Sequence, residues 1–139
     1  MIRFFVKQKR RTSIVRRCLQ VAVAIGSLVP ILAGLLGVVL GPALLGEGGR
    51  LNPSMDSHYR YLSGLLMGIG FGFWTTVPDI EKKTARFQLL AAIVVLGGLA
   101  RLYSLLAVGM PDLPMLFGLT MELVIVPLLA LWQYTVARK

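Results

Sequence analysis

With 139 residues, 56% hydrophobic content, a mean hydropathy of +0.75 and only 15% charged residues, the chain is too apolar for a soluble domain of its size. The net charge of +9 does not point to nucleic acid, because seven of the fifteen basic residues fall within the first seventeen positions and no helix-turn-helix or strand-rich pattern accompanies them. A single cysteine, Cys18, and a single histidine, His58, exclude an intramolecular disulfide and a thiolate–imidazole zinc set, so neither a metal nor another cofactor is expected.

The arm 1–17 carries Arg3, Lys7, Lys9, Arg10, Arg11, Arg16 and Arg17 and reads as a topology determinant on the cytoplasmic side. Residues 18–40 are free of charge and long enough, at about 1.5 Å per residue, to cross a hydrocarbon core of about 30 Å, with Pro30 placed to kink the span. The loop that follows is rich in Gly and Pro and holds Glu47 and Arg50. Pro53 suits the first turn of a second helix, which spans 55–77. Gly64, Gly68 and Gly72 recur along it at intervals that let a neighbouring backbone approach closely in lipid.

A short turn with Lys82, Lys83 and Arg86 leads to the third span, 87–108, which contains Gly97, Gly98 and Arg101. The connection 109–114 has no basic residue. The fourth span, 115–136, contains Glu122 and is expected to kink at Pro127, before the tail 137–139. The domain reading is therefore a basic arm, 1–17, a membrane domain, 18–136, and a cytoplasmic tail. Outside the spans, lysine and arginine collect in the arm, the turn 78–86 and the tail, and only Arg50 falls on the other side. That imbalance gives an all-α bundle of four transmembrane helices with both termini cytoplasmic.

Charges inside apolar helices need partners and mark candidate sites. Arg101 lies eight residues before Gly109 and Glu122 eight after Pro114, so each sits about 12 Å inside the outer end of its helix. Arg60 lies about 10 Å along the second helix, in the same layer. Asp56, His58, Arg60, Arg101 and Glu122 are therefore expected to line one cavity that opens outward, with Tyr103 and Ser104 behind them. One or two guanidinium groups at that depth favour an ionised Glu122.

The segments Ser57-His58-Tyr59-Arg60-Tyr61-Leu62-Ser63-Gly64, Gly97-Gly98-Leu99-Ala100-Arg101-Leu102 and Met121-Glu122-Leu123 resemble, in order and spacing, the DUF4345 family over roughly residues 20–135. More loosely, the chain is similar to the DoxX-like four-helix membrane proteins. The resemblance implies a four-helix bundle in a bacterial inner membrane and no established activity.

Three classes of function fit. A binding or accessory protein would hold a small amphiphile, such as a lipid or quinone headgroup, on Arg60 and Arg101, alone, as a homodimer or with a membrane-protein partner. A proton-coupled transporter would use Glu122 as its exchanging acid. An enzyme would need His58 as acid or base, but no nucleophile or motif accompanies it, and a lone histidine at a helix start is more often packed or interfacial. Against all three stands a purely structural pair in which Arg101 and Glu122 set helix register.

Overall fold

The computed structural model describes the backbone of residues 2–45 and 52–138 and the side chains of 13–43 and 52–138. Glu47, Arg50 and the side chains of the first twelve residues lie outside the described residues. Every regular element among the described residues is helical. The order is α1 (Ile2–Leu40), a 3-10 turn (Gly41–Leu45), α2 (Pro53–Trp74), α3 (Thr84–Val108), α4 (Leu113–Thr120), a π-helical turn (Met121–Ile125) and α5 (Val126–Ala137). Three stretches are long and apolar enough to cross a membrane: Ser13–Ala43, Thr84–Val108 and Leu113–Ala137. Many of their large apolar side chains are exposed, among them Val21, Leu32, Leu96, Leu106, Phe117 and Leu131. The chain is therefore membrane-embedded, since water would not tolerate that surface.

The basic arm is not a separate tail, because α1 starts at Ile2 and runs through it into the first apolar stretch. The chain packs as two compact units, Val21–Val77 and Met1–Gln20 with Pro78–Lys139.

In the Val21–Val77 unit, the second part of α1 packs antiparallel on α2 through small residues. A Cβ on Gly34 would stand 2.5 Å from the Ser63 carbonyl oxygen and 2.7 Å from the Met67 amide nitrogen. One on Gly70 would meet Ile31 Cγ1 at 2.6 Å and the Ile31 amide nitrogen at 3.0 Å. Gly37 faces Ser63 in the same way. The buried stripe of α1 in this unit is Val23, Ser27, Gly34 and Gly37, continued by Gly41 just past its end, at spacings of four, seven, three and four as a helix seam requires. Without a hydrophobic drive in lipid, such close backbone approach supplies the packing energy. The seam hydroxyls make their hydrogen bonds within their own helices, Ser27 Oγ to Ala24 O (2.9 Å) and Ser63 Oγ to Tyr59 O (2.8 Å).

The close contact on α2 thus falls at Ser63, Met67 and Gly70, and not at Gly64 or Gly68 of the expected stripe. Gly64 has only Val38 Cγ2 at 4.0 Å, and Gly68 has nothing within 4 Å.

In the other unit, α3 packs antiparallel on α4, the π turn and α5. Gly98 is the close-approach residue, where a Cβ would lie 2.7 Å from Leu123 Cδ2 and 2.9 Å from Glu122 Cβ. Gly97, its neighbour, has nothing within 4 Å. The π turn has a cause in Pro127. Proline has no N–H to give the carbonyl four residues back, and its ring crowds that carbonyl. The chain widens by one residue instead, and Val126 N–H bonds to Met121 O.

Candidate functional site

The two arginines singled out in the sequence sit in different chemical situations. Arg60 is engaged almost all round. Nε donates to Asp56 Oδ2 (2.8 Å) and Nη2 to Asp56 Oδ1 (3.1 Å), a two-pronged fork between residues one helical turn apart. Nη1 donates to Val38 O (2.5 Å) and Val39 O (3.2 Å). Those carbonyls belong to the last turn of α1, where no backbone donor reaches them and where the helix dipole favours a cation. Asp56 in the first turn of α2 complements the opposite dipole end.

Gly41 closes the joint. Its φ of +63° ends α1 in the left-handed region, and a Cβ there would strike Arg60 Nη2. Asp56 and Arg60 therefore form a clasp between the end of α1 and the start of α2, and the guanidinium's fork is used up within the fold. The start of α2 follows the sequence reading, with Pro53 in the first turn and the Asn52 side chain accepting from Ser54 N at 3.0 Å. Arg60→Lys keeps the charge but cannot reproduce the fork and the two carbonyl bonds together. It is expected to lower the melting temperature in detergent while leaving the helical circular dichroism of the folded state unchanged.

His58, two positions from Asp56 and so about 200° away around α2, is exposed. It lines a shallow open depression of about 560 Å³ with Pro53, Ser54, Ser57 and Tyr61. No group of three or more His, Cys, Asp and Glu side chains that could hold a metal occurs among the described residues.

Arg101 and Glu122 meet across α3 and the π turn, with Arg101 Nε 3.1 Å from Glu122 Oε2. Gly98, one turn before Arg101, permits the approach, because any side chain there would displace the Glu122 turn. The pair is close but poorly aligned. Oε2 is buried and accepts no well-directed hydrogen bond. Arg101 Nη1 spends a donor on the thioether sulfur of Met115 at 3.0 Å, a weak acceptor. Its Nη2 donors have no acceptor among the described residues. The Arg101 side chain is 39% exposed and that of Glu122 16%, so the guanidinium forms the outer edge of the pair.

Tyr103, two positions on from Arg101, is 74% exposed and turned about 200° around α3, and Ser104 is exposed as well. Neither makes a hydrogen bond to the pair among the described residues. What the structure brings together is Asp56 with Arg60 and Arg101 with Glu122.

A second polar network went unread in the sequence. Gln133 is fully buried, donating through Nε2 to Ile80 O (2.8 Å) and Thr84 Oγ1 (2.8 Å) and accepting from Gln88 Nε2 (3.3 Å). Gln88 also reaches Ala130 O at 3.0 Å. Close by in sequence, Arg16 pairs with Glu81 at 3.0 Å and Gln20 donates to Pro78 O at 3.2 Å. This network pins the connection before α3 onto α5 and onto the first part of α1. Its amides are satisfied, which is what a buried polar anchor requires.

No curated protein and no solved structure is significantly similar to the chain. The family model for DUF4345, a domain of unknown function, matches residues 18–133, which covers both pairs and leaves out the basic arm. The protein belongs to the DUF4345 family.

Proposed function

We propose that the protein is a four-span protein of a bacterial inner membrane, both termini cytoplasmic, that binds the polar headgroup of a small amphiphile at Arg101 and Glu122. The carrying observation is the mismatch within that pair. A buried carboxylate oxygen without a directed donor lies beside a guanidinium with donors to spare, which forms the exposed edge. Asp56 and Arg60, by contrast, satisfy each other through two directed hydrogen bonds.

The clasp also supports the fourth span. α2 is not among the three stretches that are apolar enough by composition, and its start holds Asp56, Ser57, His58 and Arg60, yet the two charges cancel each other at the helix mouth. Reporter fusions after residue 45 and after Asp112 are expected to read as outside, and fusions after Glu81 and Lys139 as inside. An inside signal at Asp112 would refute the orientation.

Native mass spectrometry of protein extracted gently from its membrane tests the binding reading directly. The expected result is a retained amphiphile of defined mass that is lost in Glu122→Gln. Equal retention in parent and variant would remove Glu122 from the site. Proton-coupled solute uptake into proteoliposomes that disappears in Glu122→Gln would assign a transporter instead.

A further inference from the structure

We infer that the guest of the Arg101–Glu122 pair is a neutral hydroxyl-bearing headgroup, its O–H donating to Glu122 Oε2 and its oxygen accepting from Arg101. The inference rests on the binding reading above and names the chemical class it takes. Two needs of the pair define the class. Among the described residues, Glu122 Oε2 is buried and has no directed donor, and the Arg101 Nη2 donors have no acceptor. A hydroxyl supplies one donor and two acceptor lone pairs on a single small atom. Arg101 Nε lies 3.1 Å from Glu122 Oε2, so the guanidinium and the carboxylate are close enough for one small guest to touch both.

Charge narrows the class further. The pair holds one guanidinium and one carboxylate, so it is balanced before any guest arrives. A carboxylate or phosphate guest would place a second anion beside Glu122, while its attraction to Arg101 would be offset by that repulsion and by its own loss of hydration. An ammonium guest meets the same difficulty at Arg101. An ether or ester offers acceptors only and leaves Oε2 unmet. The neutral donor–acceptor guest alone satisfies both groups without adding charge to an apolar layer. A hydroxylated ring, a glycerol headgroup and a long-chain alcohol all present this chemistry.

The surroundings suit an amphiphile better than a soluble alcohol. Val108, two turns on from Arg101 along the same face of α3, is exposed, and Leu105 between them is partly so. An alkyl tail can lie along such a surface while the hydroxyl reaches inward past the exposed guanidinium edge.

The test uses the full chain in nanodiscs of phosphocholine lipid, whose headgroup has no hydroxyl. Four amphiphiles of equal chain length are titrated: an alkyl alcohol, its methyl ether, the carboxylate and the ammonium. Binding is read by isotope-edited infrared spectroscopy of glutamate-labelled protein, following the carboxylate band that is missing from Glu122→Gln. The alcohol is expected to shift that band and to bind at least tenfold more tightly than the other three. Preference for the carboxylate or the ammonium would overturn the neutral-hydroxyl class while leaving the binding reading in place. A band that responds to none of the four, but shifts on exchange into heavy water, would mean that water alone fills the gap, and both readings would fall. The order of affinities for alcohol and ether is also read from the parent alone by isothermal titration calorimetry, so poor folding of Glu122→Gln cannot blur it.

Discussion

Glu122→Gln is expected to destabilise the detergent-solubilised protein by about 3 kcal/mol. Removing one partner of a buried ion pair costs about 3–5 kcal/mol because the other charge is left uncompensated. Arginine cannot escape by losing its proton, so the charge stays. The lower end of the range applies because the Arg101 side chain is 39% exposed and its long stem allows some movement toward the interface. Glutamine keeps the shape, so the loss measures charge and hydrogen bonding rather than packing.

Arg101→Leu combined with Glu122→Leu should recover much of that loss, since no charge then remains in the layer and the leucines fit the apolar surroundings. Arg60 should not limit the recovery, because its fork is held by Asp56. Chemical unfolding of the parent, both single variants and the double variant gives the coupling between the two residues. Glu122→Gln as stable as the parent would show that the carboxyl is already neutral or wetted.

The glycine seam carries the other large effect. Gly34→Leu is expected to cost at least about 3 kcal/mol, at or above the upper end of ordinary overpacking, because its Cβ alone would meet the α2 backbone at 2.5 and 2.7 Å. Backbone cannot rotate away as a side chain can, so α1 and α2 must separate. Gly68→Leu, with nothing within 4 Å of its Cβ, should leave stability within about 0.5 kcal/mol, as a substitution at an open surface does. Thermal unfolding of the two variants under one detergent condition decides the register. Equal damage at both positions would mean that α2 also packs closely through its Gly68 face.

That contrast shows what could be read from the sequence and what could not. Helix starts and ends were legible where residues with unusual backbones marked them: Pro53, with its fixed φ, opens α2, and Gly109, free to take a φ of +124°, closes α3. The Arg101–Glu122 pair followed from depth alone, since eight residues from each end of one connection place two side chains in one layer.

The seam register did not follow, because glycine occurs on every face of a membrane helix. Gly64, Gly68 and Gly72 are as regular in sequence as the contacts at Ser63, Met67 and Gly70. Asp56 is legible as a neighbour of Arg60 one turn away, but the other two acceptors are the Val38 and Val39 backbone carbonyls, which carry no residue signature. Gln133 and Gln88 were passed over because uncharged amides scarcely interrupt an apolar run, although their burial commits them to a network as firmly as a charge would. Pro127 was read as a kink, and its effect is the wide turn that holds Glu122.

The measurement that tests the central claim most directly is amphiphile retention by the Arg101→Leu, Glu122→Leu double variant, read by native mass spectrometry beside the parent. A binding site predicts a folded, monodisperse double variant that has lost the bound amphiphile retained by the parent. A folded double variant that still carries the same bound mass at the same occupancy would contradict the account and leave the pair as a device for helix register.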